Sequence, residues 1–356
     1  HGSGVAVWFF RTLLLLAAAV VMTVALVPGA QAAESQNSAP RSVIPLGRAV
    51  GIKLFSDGVL VVGLSAVETD SGPSSPGRTC GLKAGDIITH INGQEVNTIE
   101  EVQDILGDEQ GDAMTLRATR NGKPVQLSVQ AIQNIQGSYQ LGVWLRDSMA
   151  GIGTMTFYDP DSGVFAALGH GINDVDTATL MPMESGSIMY ASVTDVKKGE
   201  SGAPGELHGS FDVNRDLGDL YANTNLGIYG VLRDGALSPR REAVEVAARE
   251  EVHVGGATIL SNIAGEQVEE YQVEITHVYP AAAGDTRNLM VQVTDPRLLE
   301  TTGGIVQGMS GSPILQDGKL VGAVTHVLVN DPTRGYGILA ENMVSQCVWE
   351  EQAQVS

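Results

Sequence analysis

The residues best placed by type and spacing for covalent chemistry lie in Gly308-Met309-Ser310-Gly311-Ser312-Pro313-Ile314. A nucleophilic Oγ must stand clear of its own backbone while main-chain N–H groups converge on a developing oxyanion, and flanking glycines give the chain that freedom. Gly199-Glu200-Ser201-Gly202-Ala203-Pro204 fits the same GxSGxP pattern, so the pattern alone does not choose between two serines. Context favours Ser310: Pro313-Ile314-Leu315, the turn Gln316-Asp317-Gly318-Lys319 and the apolar run 320–324 spell a hairpin behind it, whereas nothing alternates after Ser201. A serine hydroxyl is a weak nucleophile at neutral pH and needs an adjacent base, usually an imidazole steadied by a third group. His170 ends the strand-like Val164-Phe165-Ala166-Ala167-Leu168-Gly169 and precedes Gly171-Ile172, which suits a base at a strand tip. For the third group, Asp295 follows a strand and precedes the nucleophile loop, with Asp212, Asp216 and Asp219 as competitors.

These groups need a rigid frame, and the composition points to a mostly β one. Forty-three glycines against six phenylalanines and three tryptophans, with many short Val/Ile/Leu runs, favour strands joined by tight turns. Strands are expected at 151–158, 163–168, 225–231, 271–278, 288–293, 320–329 and 337–339, and one helix over 240–251, where Ala, Val and Glu alternate. Together with the serine and histidine turns, residues 138–356 fit a chymotrypsin-like double β-barrel. In such enzymes the acid stands nearer the histidine than the serine, which favours the Asp212, Asp216 and Asp219 group.

Upstream, Cys80-Gly81-Leu82-Lys83-Ala84-Gly85-Asp86-Ile87-Ile88-Thr89-His90-Ile91-Asn92-Gly93-Gln94-Glu95-Val96 closely resembles a PDZ domain, an α+β module expected over 45–133. Leu82, Ile87, Ile88 and Ile91 supply core contacts, and Gly85-Asp86 and Asn92-Gly93 supply turns. Thr98 with Glu101 forms a capping box for a helix from 99 to about 106, and 114–129 reads as a hairpin turning at Asn121-Gly122. The resemblance implies capture of an extended peptide as an added strand, with Val50, Gly51 and Ile52 as the carboxylate-gripping loop.

At the N-terminus, residues 5–10 and 13–27 are apolar except for Arg11, Thr12 and Thr23, and Ala30-Gln31-Ala32 fits a small-residue cleavage rule. Residues 1–33 are therefore expected to be a signal peptide or a membrane-anchoring helix, with 34–44 a linker. A net charge of −20 argues against nucleic acid as a partner. Cys80 and Cys347 are too few and too far apart for a disulfide framework, and the seven histidines show no HExxH-like spacing, so neither a metal nor another cofactor is expected.

Gly142-Val143-Trp144-Leu145-Arg146-Asp147-Ser148-Met149-Ala150-Gly151-Ile152-Gly153-Thr154-Met155-Thr156-Phe157-Tyr158, the Ala167-Leu168-Gly169-His170-Gly171-Ile172 turn and the Ser310 loop together resemble the stage IV sporulation protein B family. The likeness continues through Gly322-Ala323-Val324-Thr325-His326-Val327 and Asn330-Asp331-Pro332-Thr333-Arg334-Gly335-Tyr336-Gly337-Ile338. It implies an exported serine endopeptidase, acting between forespore and mother-cell membranes, that cleaves the regulator of a membrane-embedded protease, so triggers maturation of a late sigma factor, and also cleaves itself. The family pattern maps its histidine, acid and serine onto His170, Asp295 and Ser310, with the Gly308 and Ser310 N–H groups as oxyanion hole. Two rival functions remain at this level: a catalytically inactive PDZ scaffold, which predicts no labelling by a serine-reactive phosphonate, and a quality-control protease of the HtrA kind, which predicts broad digestion of unfolded protein.

Overall fold

The computed structural model describes residues 41–349 apart from 234, 238–240 and 281–285. The expected signal or anchor segment lies outside the described residues, among which no helix is long and apolar enough to cross a membrane.

Fifteen strands carry the architecture: β1 Ser42–Leu64, β2 Ile87–Ile91, β3 Ala113–Arg120, β4 Lys123–Gln130, β5 Val143–Tyr158, β6 Val164–Ala167, β7 Ser185–Lys197, β8 Glu206–Thr224, β9 Gly227–Leu232, β10 Gly255–Ala264, β11 Gln267–Val278, β12 Leu289–Val293, β13 Pro313–Gln316, β14 Lys319–Leu328 and β15 Asp331–Leu339. The helices are short: α1 Pro76–Cys80, α2 Ile99–Glu109, α3 Pro296–Thr302 and α4 Ala340–Val344. Pairing runs β1-β5-β6-β9-β8-β7 and returns to β1, which closes a first six-stranded ring. A second closed barrel runs β10-β11-β12-β15-β14-β13. Each buries an alternating inward row, Val50, Met155, Phe165, Ile188 and Ile228 in the first, Ile259, Val273, Val291, Ile314 and Val324 in the second. Burying every second residue of an antiparallel strand is what fixes these registers, because a one-residue slip would turn each row out to water.

The PDZ module is built from β2, β3, β4, α1 and α2, and its core holds Leu82, Ile88, Ile91, Val102 and Leu116. Thr98 Oγ1 accepts from Glu101 N–H while the Glu101 carboxylate accepts from Thr98 N–H, so the expected capping box starts α2. The hairpin of β3 and β4 turns at Asn121 and Gly122, both at positive φ (50° and 72°), as a two-residue type I′ turn requires.

The module is not hung on a linker. The first half of β1 lies in the first barrel and its end, Val59 and Leu60, pairs with β2; β5 likewise pairs with residues 60–64 of β1 before running on into the barrel. Two continuous strands therefore carry one sheet from the PDZ module into the barrel. The helix expected over 240–251 is replaced, among its described residues, by the two-residue strand Val244–Glu245 against Ser42 and Val43 and a 3-10 turn at Arg249–Glu251. Burial of Ala247 and Val252 in the second barrel's core outweighs the local helix preference.

Candidate active site

His170 leaves the first barrel on a strained turn. After β6, Leu168 (φ +68°) and Gly169 (φ +71°) both adopt left-handed backbone, a conformation that a branched side chain takes only under tertiary constraint. That constraint comes from Thr154 on β5, whose carbonyl accepts from Leu168 N–H at 3.2 Å, and from Asn223 on β8, which bonds both the N–H and the carbonyl of Ile172. The nucleophile turn of the second barrel is tied to the same threonine: Thr154 N–H donates to the Ser310 carbonyl (3.1 Å) and Thr154 Oγ1 to the Gly308 carbonyl (2.7 Å). Thr154, 1% exposed, thus holds both turns with its three polar groups. Sequence reasoning passed over it, since a threonine within a strand carries no local sign of such a role.

His170 and Ser310 line one cavity of about 300 Å³, together with Ile52, residues 149–152 of β5, Gln307 and Gly308. The Ser310 hydroxyl donates to the Thr325 carbonyl at 2.8 Å. His170 Nδ1 lies 2.9 Å from the Gly171 carbonyl. A carbonyl can only accept, so Nδ1 carries the proton and Nε2 is left as the basic nitrogen. Burial pushes the His170 pKa below the ordinary histidine value, against the smaller upward pull of that carbonyl, so the imidazole is neutral and basic at physiological pH. The N–H groups of Gly308 and Ser310 donate to no other group among the described residues, although both residues border the cavity. A pair of unengaged N–H donors beside a hydroxyl and a free imidazole nitrogen is the equipment that acyl transfer needs.

Ser201 lies elsewhere, exposed, with its hydroxyl on the Asn330 carbonyl (2.8 Å).

Asp295 does not meet His170. It caps α3, accepting from Arg297 N–H with Pro296 in the first turn, accepts from Gln272 N–H, and pairs with the Arg297 guanidinium at 2.9 Å. Strand register explains the separation: Met290 stands opposite Tyr336, which stands opposite His326 beside the site, and Asp295 is five residues further along, about 16 Å at strand rise. The Arg297 hydrogen bonds hold its pKa down to about 2. The competing acids are engaged as well: Asp216 and Asp219 pair with Arg233, and Asp212 accepts from Asn214 N–H. Asp295→Asn keeps a capping side chain but loses the charge paired with the half-exposed Arg297, so it is expected to keep the cleavage rate within about threefold while lowering stability by about 1 kcal/mol, read by kcat and by urea midpoint. Because the carboxylate's pKa is depressed on folding, that stability is present above its unfolded value near 4 and is lost as the pH falls toward 2.

The carboxylate-loop assignment also moves. Val50, Gly51 and Ile52 are paired on both edges, to β5 and to β7, so no peptide can add there, and Ile52 faces the cavity of His170 and Ser310 instead. A larger cavity of about 960 Å³ lies in the PDZ module, between α2 (Ile99, Val102, Gln103, Leu106) and residues 139–145. Along it, residues 143–146 of β5 pair with β1 on one edge and, among the described residues, with no strand on the other, and Trp144 is 65% exposed. Leu141-Gly142-Val143 shares the apolar-Gly-apolar pattern of Val50-Gly51-Ile52, but so does Val62-Gly63-Leu64 in the same module, so the pattern alone could not single the segment out.

Comparison with known proteins agrees with this composition. The SpoIVB peptidase S55 family model matches residues 137–344, and a PDZ domain model matches 69–120. The periplasmic pH-dependent serine endoprotease DegQ of Escherichia coli K12 is 41% identical over 58 residues, which span 16% of this chain and 13% of DegQ. Among solved structures, the active form of the Rv3671c protease from M. tuberculosis is similar with 16% identity and a TM-score of 0.32, covering 56% of this chain and 73% of that one. The HtrA-type protease AlgW with a decapeptide gives 12% identity and a TM-score of 0.32, covering 56% and 51%. With two six-stranded rings, a PDZ module and a family match over more than half its length, the chain belongs to the SpoIVB peptidase S55 family and is a PDZ-containing serine endopeptidase.

Proposed function

We propose that Ser310 is the nucleophile and His170 the general base of this endopeptidase, and that it serves as an exported signalling protease of sporulation. The observation that carries the site is the shared cavity, which Ser310, His170 and Gly308 all line, with the Gly308 and Ser310 N–H groups unengaged among the described residues. Ser310 Oγ leaves the Thr325 carbonyl and attacks the scissile carbonyl as His170 Nε2 takes its proton. The two N–H groups receive the oxyanion, and the imidazolium then returns the proton to the leaving amine. The family membership supports the biological reading: a regulator of a membrane-embedded protease as substrate, cleavage of the enzyme's own N-terminal region, and action between the forespore and mother-cell membranes. The open edge at 143–146 beside α2 supports a peptide ligand for the PDZ module, from the substrate, the regulator or the enzyme's own terminus. Incubating the exported chain with the membrane-protease regulator of a sporulating cell tests the proposal: limited, defined fragments are expected, and general digestion of unfolded casein with the regulator left intact would overturn it.

A further inference from the structure

With Asp295, Asp212, Asp216 and Asp219 all engaged elsewhere, no carboxylate among the described residues bonds to His170, yet a base in such a site needs its tautomer and orientation held while it is charged. The side chain against it is another histidine. The rings of His170 and His326 lie with centroids 5.1 Å apart and tilted by 40°. That separation is about what one N–H···N bond between two imidazoles spans, a ~2.9 Å bond plus ~1.1 Å from each nitrogen to its ring centre. His326 is set on β14 directly after Thr325, the residue whose carbonyl holds the Ser310 hydroxyl. Its Nδ1 is buried and has no hydrogen-bond partner, an unsatisfied group of a kind that folded proteins rarely retain without a use.

We propose that His326 is the positioning residue for His170: its orphan Nδ1 accepts the His170 Nδ1–H when the imidazole turns from the Gly171 carbonyl to bring Nε2 to Ser310 Oγ. The inference rests on the assignment of His170 and Ser310 above. In the step itself the Ser310 proton passes to His170 Nε2 as the Oγ–carbonyl bond forms. The resulting imidazolium keeps its Nδ1–H and donates it to His326, which stays neutral with its own proton on Nε2. The proton on His170 Nε2 then goes to the leaving amine, so His326 gains and loses nothing. Neutrality of His326 is built in. Burial, with the His170 and Arg287 charges adding to it, lowers its pKa to about 4. Among the described residues, Tyr336 stands opposite it on β15 with the Arg287 guanidinium 5.1 Å from that ring, Tyr279 and His277 lie beyond, β15 carries Asp331 and Arg334 toward its start, and no carboxylate is hydrogen-bonded to it. An acceptor that remains uncharged down to about pH 4 can steady an imidazolium without repelling it.

The test measures kcat and KM of the exported full chain on a peptide substrate between pH 4 and 9, in wild type, His326→Ala, His326→Gln and His326→Asp, with Ser310→Ala as control. The expected result is a loss of about a hundredfold in kcat for His326→Ala with KM within twofold, the scale at which a positioned proton-transfer partner acts. His326→Gln, which offers an acceptor that does not titrate, should recover at least about tenfold of that loss. His326→Asp should raise the acidic limb of kcat/KM by about one pH unit, because a carboxylate stabilises the charged His170 as a mere packing residue does not. A folded His326→Ala with kcat within threefold of wild type overturns the proposal. So does a Gln variant no better than Ala, or an Asp variant with an unmoved limb, and these two stand even where Ala fails to fold. If Ser310→Ala cleaves as fast as wild type, the assignment of the nucleophile itself has failed, a result distinct from normal activity in the His326 variants alone.

Discussion

Replacing Ser310 by alanine is expected to lower peptide-bond cleavage, of substrate and of the enzyme itself, by at least about a thousandfold and to remove labelling by a fluorophosphonate. The substitution deletes the hydroxyl that shares a 300 Å³ cavity with a neutral imidazole and with the two residues whose N–H groups are unengaged. Its structural cost is small, because the hydroxyl makes a single hydrogen bond, to the Thr325 carbonyl, worth about 1 kcal/mol. A variant that melts near wild type yet does not cleave separates a chemical role from a structural one. Ser201→Ala supplies the contrast: Ser201 Oγ is exposed on the Asn330 carbonyl, and the variant should cleave at the wild-type rate and label normally. Wild-type turnover in Ser310→Ala, or a dead Ser201→Ala, would transfer the nucleophile's role to the other motif.

What was legible in the chain was whatever its local chemistry decides. The turns at Asn121-Gly122 and Asp317-Gly318 require positive φ at both central residues, and only a few residue types supply it cheaply, so two hairpins could be read from their turns. The Thr98 and Glu101 capping box was legible for the same reason, since both of its hydrogen bonds are made within four residues. The pairing of β1 with β5, about a hundred residues apart, has no local signature. For that reason Val50-Gly51-Ile52 looked like a PDZ loop although it is a barrel strand whose Ile52 lines the peptidase cavity. The helix expected over 240–251 rests on a composition that favours helix, while the unpaired edge at Ser42 and Val43 draws Val244 and Glu245 into a strand and Ala247 into the core.

Within the site, the serine and the histidine were readable because glycines announce turns that present a side chain. The supporting groups were not, because each acts from the middle of a strand. Thr154 holds both turns from β5, and His326 touches His170 from β14. Asp295 shows the converse: aspartate followed by proline at the first helical position is an N-cap signature as much as a catalytic one, and the helix it starts takes the carboxylate away from the imidazole.

The two GxSGxP motifs also differ in what their last glycine must do, and that difference sets the second large effect. Gly311 and Gly202 both have positive φ, +98° and +82°, so alanine at either carries the backbone penalty of about 1–2 kcal/mol. Only at Gly311 does a Cβ meet the frame: it would lie 2.1 Å from the Thr154 carbonyl oxygen and 2.6 Å from Leu168 N, whereas at Gly202 nothing stands within 4 Å. The nearest atoms at Gly311 are backbone and belong to the contact joining the serine turn to the histidine turn, so neither can move without parting the two. Gly311→Ala is therefore expected to lower the melting temperature by about 10 °C, from overpacking of about 1–3 kcal/mol added to the φ penalty. The same displacement should reduce kcat/KM by more than about a hundredfold, since reacting groups moved by about 1 Å lose that much. Gly202→Ala should melt within about 3 °C of wild type and cleave normally. Equal behaviour of the two variants, in melting or in turnover, would show that the serine turn does not depend on its close approach to β5, and the geometry argued for Ser310 would fall with it.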